Sequence, residues 1–135
     1  MNKLNQWAAL IGLLASAGIA AAEPAGPATS NDDAMVALAT HSGCLTCHAV
    51  RSAGPAADGS KPIGPAWQDV AIKYKGQKDA METLTRTVMG GSSPYASHWK
   101  GKVSGLAMPP NAVAISRPDA RRLVKWILSL DERGG

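Results

Sequence analysis

The sequence predicts an all-α fold, and three observations support this prediction. Apolar residues recur at intervals of three and four in four separate stretches, as on the buried face of an amphipathic helix. Ser, Asp, Pro and Gly, the residues that typically start or stop helices, bound these stretches. No stretch of useful length alternates apolar and polar residues in the way that is typical of a half-buried strand. We therefore expect about four helices.

Residues 1–22 have the pattern of a secretory signal peptide. Lys3 supplies a positive charge, an apolar run follows from Trp7 to Ile19, and Ala20 to Ala22 are the small residues of a cleavage site. The run is shorter and less apolar than the ~20 residues of a membrane span. We therefore expect a periplasmic protein that is not stably inserted in a membrane after cleavage, with a retained N-terminal anchor as the alternative.

The rest of the chain is predicted to form one domain after a short tether. Residues 23–31 are rich in Pro and Ala and have no periodicity, which is typical of a flexible leader. Residues 32–135 have an ordinary size for one domain. The formal net charge is +4, but the basic residues are scattered without a dense run, so nucleic-acid binding is not expected.

The first predicted helix leads into the two cysteines of the chain. Ser30 and Asp33 have the spacing of a capping box, apolar residues then follow at helical spacing, and Gly43 ends the pattern directly before Cys44. Residues 49–64 are dominated by Gly, Pro, Ser and Ala, which predicts a loop.

Three further helices are predicted after this loop. Pro65 suits the first turn of the second helix, which ends at Gly76. The third begins near Asp79 and ends at Gly90–Gly91, and a long loop from Ser92 to Ala114 follows. Ser116, Asp119 and Pro118 suit the start of the last helix. The predicted apolar faces are, in turn, Trp67, Val70, Ala71 and Tyr74; Met81, Leu84, Thr85 and Val88; and Ala120, Leu123, Val124, Ile127 and Leu130.

The stretch Cys44-Leu45-Thr46-Cys47-His48 has the spacing of a site for covalent haem attachment. Two thiols can add to the two vinyl groups of a haem, and the adjacent imidazole can reach the iron. A redox disulfide, a structural disulfide and half of a zinc site are the alternatives. The strand and helix alternation of thioredoxin-like proteins is missing, and a zinc site would have only His41 and His98 as further His or Cys ligands. The motif therefore favours haem.

Met108 is the candidate for the second axial position of the iron. It lies in the long loop, and Pro109 and Pro110 stiffen the backbone after it. A thioether is a soft ligand, and His/Met ligation raises the reduction potential of a haem. Met35, Met81 and Met89 are instead interpreted as packing residues of helices.

Four blocks in this order resemble the class I c-type cytochromes, and among them the small bacterial monohaem cytochromes of the c-551 and c-552 type. The resemblance extends over about residues 32–132. It rests on the sequences from Gly43 to Ala49, from Gly64 to Ala71, from Met108 to Val113 and from Leu123 to Ser129. It implies a cytochrome c fold, with about four helices wrapped around one haem c.

The resemblance also implies a role for individual residues. Cys44 and Cys47 would form the thioether bonds, with His48 as proximal and Met108 as distal iron ligand. Pro65 would accept a hydrogen bond from His48, and Asn111 would lie beside the Met108 sulfur. Trp99 would donate its N–H to a haem propionate. Trp126 would pack where the first and last helices cross.

The chain departs from the resemblance at two loops. The loop after His48 and the segment from Ser92 to Gly105 both look longer than in the shortest family members. The second segment adds His98, which is an alternative iron ligand, although a surface histidine is the commoner case. His41 is expected on the surface of the first helix.

The function expected on these grounds is one-electron transfer by a monomer that is not an enzyme. Docking to redox partners with acidic surfaces is predicted near Pro109, Pro110, Val113 and Ile115, with lysines steering the encounter. A haem subunit of a larger dehydrogenase, and a haem protein that binds a gas or peroxide beside a weak methionine ligand, are the alternatives.

Overall fold

The computed structural model describes residues 30–54, 56–95 and 97–131. Four α-helices are present in these ranges: α1, Asn31–His41; α2, Trp67–Tyr74; α3, Ala80–Gly90; and α4, Arg117–Leu128. A short 3₁₀ helix, Cys44–Thr46, follows α1. Within the described ranges the strand-like pairing is limited to one isolated bridge between Lys100 and Val103. The all-α prediction is confirmed, whereas the predicted signal peptide and residues 23–29 of the predicted leader lie outside the described residues.

Helix α1 begins with the capping box that the sequence predicts. The Ser30 hydroxyl accepts a hydrogen bond from the Asp33 N–H at 3.1 Å, and the Asp33 carboxylate accepts one from the Ser30 N–H at 3.2 Å. These bonds satisfy backbone donors that have no partner inside the helix. The helix starts at Asn31, the last residue of the predicted leader.

Helix α2 starts two residues later than the first-turn position predicted for Pro65. The reason lies in the neighbouring segment, because the N–H groups of Trp67 and Gln68 donate to the carbonyls of Ala49 and Val50, at 2.9 and 3.1 Å. The first donors of α2 thus bind the chain that follows the cysteine motif. This pairing holds the start of the 49–64 loop against the helix.

Helix α4 is the centre of the core and contacts each of the other three helices. Every residue of its predicted apolar face is buried, from Ala120 to Leu130. Trp126 is also buried, its ring lies edge-on to Trp67, and its indole N–H donates to the Asp32 carboxylate at 2.7 Å. The predicted packing of Trp126 between the first and last helices is confirmed, with a hydrogen bond to α1 that the apolar pattern did not predict.

No helix among the described residues combines the length and the apolar character that crossing a membrane requires.

Candidate functional site

The cysteine motif folds as one tight turn after α1. Gly43 reverses the chain with a φ of 72°, a conformation that favours glycine. The N–H groups of Cys47 and His48 both donate to the Cys44 carbonyl, at 3.3 and 3.2 Å. The turn therefore brings both thiols and the imidazole to one place in the fold.

The imidazole of His48 is held by the chain that leads into α2. Its Nδ1 lies 2.8 Å from the Pro65 carbonyl oxygen, and its ring stacks on Trp67 with 5.8 Å between centroids. Because a carbonyl only accepts hydrogen bonds, Nδ1 carries the proton and Nε2 keeps its lone pair. Burial lowers the pKa of His48, and the hydrogen bond to the Pro65 carbonyl opposes this with a smaller effect. The lowered pKa favours the neutral form of the imidazole.

Gly64 allows the close approach between the motif and this chain. Its N–H donates to the Cys47 carbonyl at 2.8 Å. A Cβ at this position would lie 2.8 Å from His48 Cε1, 2.9 Å from Nδ1 and 3.0 Å from the Cys47 oxygen. A side chain here would therefore collide with the ring or with backbone.

The two cysteines are partly buried and are not joined in a disulfide. Burial raises the pKa of the Cys44 thiol, opposed by a backbone hydrogen bond, and the neighbouring Cys47 adds to the increase. Cys44 and Cys47 both line the same cavity as His48. No group of three or more His, Cys, Asp or Glu side chains in the described ranges is arranged to hold a metal ion.

This cavity has a volume of about 370 Å³, which is within the range of small-molecule and cofactor sites. Residues of α2, α3, α4 and the long loop form its walls, and most of them are apolar. Met108 and Trp99 line it together with the cysteine motif. Two thiols, an imidazole with a free Nε2 and a thioether around one apolar cavity are a donor set that fits a haem.

Of the methionines that the structure describes, Met108 alone lines the cavity. Met35 is buried in the core, Met89 packs against the core, and Met81 is partly exposed on α3. The interpretation as packing residues agrees with the positions of Met35 and Met89, whereas Met81 does not belong to the core cluster. The methionine that the sequence singles out is therefore the one near the cysteine motif.

Hydrogen bonds attach the loop that carries Met108 to two parts of the fold. On one side, the N–H groups of Ser104 and Gly105 donate to the carbonyls of Pro62 and Ile63, at 2.8 and 3.0 Å. On the other, Ser92 exchanges two hydrogen bonds with the Met108 backbone, each 2.9 Å long. Ser92 is not among the site residues predicted from the sequence. The signal for such a residue is the pair Pro109 and Pro110, which have no N–H and leave the Met108 N–H as the donor that needs an acceptor.

Asn111 binds backbone carbonyls in this structure. Its side-chain amide donates to the Pro109 carbonyl at 2.7 Å and to the Val88 carbonyl at 3.4 Å, and its backbone N–H donates to Val88 at 3.1 Å. These bonds join the residues after Met108 to the last turn of α3. The predicted position beside the Met108 sulfur stays a prediction.

Trp99 is partly buried on the cavity wall, and its surroundings are basic. The Lys102 ammonium lies 5.7 Å from the Trp99 ring centroid, and the His98 ring lies edge-on to the same indole at 5.0 Å. His98 is exposed; slight desolvation, with the charges of Lys73 and Lys102, lowers its pKa.

His41 is exposed in the last turn of α1, as predicted.

The predicted docking surface needs one correction. Pro109, Pro110 and Val113 are exposed, and Val113 is fully so. Ile115, however, is only 5% exposed and belongs to the hydrophobic core. Its backbone N–H donates to the Asn111 carbonyl, and the resulting turn directs the chain inward before α4. Ile115 therefore cannot contact a partner.

Comparisons with known proteins agree with this geometry. The sequence model of the cytochrome c family matches residues 34–131. Cytochrome c-551 of Allochromatium vinosum is 40% identical over 97 residues, which are 72% of this chain and 86% of that protein. Cytochrome c-552 of Hydrogenobacter thermophilus is 36% identical over 93 residues, which are 69% of this chain and 78% of that protein.

Solved structures give the same result. The crystal structure of Nitrosomonas europaea cytochrome c552 superposes with a TM-score of 0.53 at 37% identity, and the match covers 70% of this chain and 98% of that one. The fold, the motif and these relatives lead to one conclusion. The chain belongs to the cytochrome c family, whose members carry covalently bound haem c, and its relatives include the small bacterial cytochromes c-551 and c-552.

Proposed function

We propose that this protein is a periplasmic one-electron carrier and not an enzyme. In this proposal haem c is attached through Cys44 and Cys47, and its iron is bound by His48 and Met108. One observation carries the proposal: a single apolar cavity brings together both thiols, an imidazole with an available Nε2, and one methionine. When bound, haem c supplies an iron that takes up and releases one electron.

His48 and Met108 would hold the iron of the haem, and other residues of the chain fix both of them. Pro65 keeps the proton of His48 on Nδ1, so Nε2 is presented to the metal without a proton to lose. The Met108 backbone is attached to Ser92, and the chain before it to Pro62 and Ile63. With both side chains bound to the iron, no substrate would need to reach the metal, and the haem would supply one-electron chemistry.

Trp99 and Asn111 have supporting roles in the proposal. Trp99 lies on the cavity wall, where its indole N–H can donate to a haem propionate, and the nearby Lys102 and Lys73 favour negative charge there. Asn111 fixes the backbone around Met108 and can turn its amide towards the sulfur. His98 also lines the cavity, but it is not assigned as a ligand, because its ring is exposed and lies edge-on to Trp99.

Location and partners are inferred from the chain as a whole. The pattern of residues 1–22 supports export to the periplasm. Pro109, Pro110 and Val113 form an exposed surface next to Met108, which suits the small and short-lived contacts of redox partners. The cytochromes c-551 and c-552 among its relatives support an electron carrier, and we propose that it works as a free monomer.

The absorption spectrum of the oxidised protein tests this proposal. A carrier with His/Met ligation shows a low-spin spectrum with a methionine-to-iron charge-transfer band in the red. Replacement of Met108→Ala should abolish this band, whereas Met81→Ala, a methionine away from the cavity, should leave it unchanged. A band that survives in Met108→Ala would mean that another residue is the ligand.

The same measurements separate the alternatives. A high-spin spectrum of the native protein that changes on adding carbon monoxide or peroxide would favour a gas-binding or peroxide-binding haem protein. Purification from the native periplasm in a fixed complex with a dehydrogenase would favour a haem subunit. A low-spin free monomer would exclude both.

A further inference from the structure

Within the described ranges, Ser92 is the residue that hydrogen-bonds to both the N–H and the carbonyl of Met108. The Ser92 N–H donates to the Met108 carbonyl, and the Ser92 hydroxyl oxygen accepts from the Met108 N–H, both at 2.9 Å. The two residues are therefore joined by a closed pair of hydrogen bonds. One of the pair depends on the serine side chain and is lost if that side chain is removed.

The residues around Met108 leave few other ways to hold its backbone. Pro109 and Pro110 have no N–H, so the Met108 N–H is the one backbone donor between Ala107 and Asn111. The next donor, the Asn111 N–H, binds the Val88 carbonyl at 3.1 Å. One of these donors binds Ser92, two residues after α3, and the other binds the last turn of α3. The Ser92 hydroxyl is therefore the acceptor for the N–H of the methionine itself.

Gly91 allows Ser92 to reach this position. It has a φ of 81°, and a Cβ on it would lie 2.8 Å from the Met108 carbonyl oxygen and 3.0 Å from the Pro110 nitrogen. The chain leaving α3 therefore passes against the backbone of residues 108–110 with no room for a side chain at residue 91. This contact sets the distance between the end of α3 and the methionine loop.

On the basis of the proposed Met108 ligation, we propose that Ser92 is a positioning residue that holds the Met108 thioether on the iron. Ser92 also lines the cavity, and in this proposal it acts on the ligand through the methionine backbone. When an external ligand displaces Met108 and the backbone of residue 108 moves away, the hydrogen bond to the Ser92 hydroxyl breaks. The hydroxyl thus opposes loss of the methionine ligand.

Imidazole binding to the oxidised holoprotein tests this role, because imidazole binds the iron only after Met108 has left it. Replacement of Ser92→Ala should strengthen imidazole binding on the order of fivefold, the change expected for one net hydrogen bond between neutral groups. The same variant should lose charge-transfer absorbance of the methionine at a lower temperature than the wild type. Ser92→Thr keeps a hydroxyl and should restore both properties towards those of the wild type.

Ser93→Ala is the matched control. The Ser93 hydroxyl also accepts a backbone hydrogen bond, but from the Tyr95 N–H at 3.2 Å and not from Met108. It should leave imidazole affinity within about twofold of the wild type, a difference well below one net hydrogen bond. Equal effects of Ser92→Ala and Ser93→Ala would reveal general loosening of the loop and overturn the proposal, as would an unchanged affinity in Ser92→Ala.

Met108→Ala distinguishes this inference from the proposed ligation. It should bind imidazole far more tightly than the wild type, since no methionine competes. If it binds imidazole no more tightly, Met108 is not the ligand and both proposals fail. If Met108→Ala shows the increase and Ser92→Ala does not, the ligation stands and only the role of Ser92 is excluded.

Discussion

At the scale of single residues, Gly64 shows how closely the cysteine motif and the start of α2 approach each other. Its position against His48 and the Cys47 carbonyl leaves no space for a methyl group. The obstacle consists of backbone and of a ring that is itself fixed by Pro65 and Trp67, so the neighbours have little freedom to move. The hydrogen bond of His48 thus depends on a residue that does not take part in it.

Replacement of Gly64→Ala should therefore lower the free energy of unfolding by about 1–3 kcal/mol, the usual cost of overpacking. It should also shift the reduction potential, because the His48 ring must turn or its bond to Pro65 must lengthen. Thermal unfolding and redox titration of the holoprotein measure these effects.

Gly90→Ala is the control for this substitution. Gly90 is the last residue of α3, and a Cβ on it would meet no atom within 4 Å. This variant should be neutral or up to about 1 kcal/mol more stable, because alanine favours the helix. A Gly64→Ala protein as stable as Gly90→Ala would show that the His48 region is more adaptable than the distances indicate.

The residues with chemical roles could be predicted where their type alone is informative. Cys44, Cys47 and His48 were identified from their spacing, and Met108 from its prolines, and the structure brings all four to one cavity. Gly64 and Ser92 could not be identified in this way, because glycine and serine are common in loops and their contacts are distant in sequence. Ile115 was placed on the surface because the pattern of a short loop does not show which apolar side chain turns inward.

At the scale of elements, the first turn of α4 contains a carboxyl group, Asp119, whose ionisation contributes to the stability of the fold. The Ser116 hydroxyl donates to the Asp119 carboxylate at 2.8 Å and accepts from the Asp119 N–H at 3.2 Å, and Arg122 pairs with the same carboxylate at 3.0 Å. These contacts lower the pKa of Asp119, with the Ser116 hydrogen bond as the largest cause. The ionised form of Asp119 therefore stabilises the folded state.

The sign of the pH dependence follows from this lowered pKa. The contribution is present above the ordinary carboxyl pKa of 3.8, and it is lost as the pH falls through the lower pKa of the folded state. Asp119→Asn should thus lower the melting temperature at neutral pH, and the difference from the wild type should vanish in strong acid. Thermal unfolding monitored by circular dichroism at several pH values measures it.

Arg122→Gln provides the comparison for Asp119→Asn. It removes the ion pair but keeps the larger contribution of Ser116, so its effect at neutral pH should be smaller. A loss in Asp119→Asn that is equally large at all pH values would show that the contribution comes from packing and not from ionisation.

The elements themselves were predictable to a similar degree. All four helices were predicted, since an amphipathic face and capping residues are local properties of the sequence. The start of α2 was wrong by two residues, because hydrogen bonds from Trp67 and Gln68 to residues 49 and 50 decide it. Such contacts join distant parts of the chain and leave no trace in a local pattern.

At the scale of the whole molecule, a modest positive charge is combined with a local basic cluster beside the cavity. Lys73 and Lys102 both act on the pKa of His98, and Lys102 lies over Trp99 on the cavity wall. If acidic partners approach from this side, the rate of electron transfer should fall as ionic strength rises, because salt screens exposed charges. Stopped-flow kinetics with an acidic redox partner measures this dependence.

Lys102→Gln should reduce both the rate at low salt and its salt dependence. Lys125→Gln removes an equal charge from α4, where the residue is exposed and does not line the cavity, and should change the rate much less. An uncharged small-molecule reductant should react equally fast at all salt concentrations. Steering would be excluded by equal effects of the two substitutions or by a partner reaction that does not respond to salt.

The pair of hydrogen bonds between Ser92 and Met108 also fixes the start of the long loop. The hydrogen bonds of Ser104 and Gly105 to Pro62 and Ile63 fix a later part of the same loop. The loop is therefore held at both of its ends, and between them Trp99 and Val103 still line the cavity. A recognition peptide or an electrode-binding tag inserted beside the exposed Tyr95 should therefore leave the hydrogen bonds that hold Met108 in place.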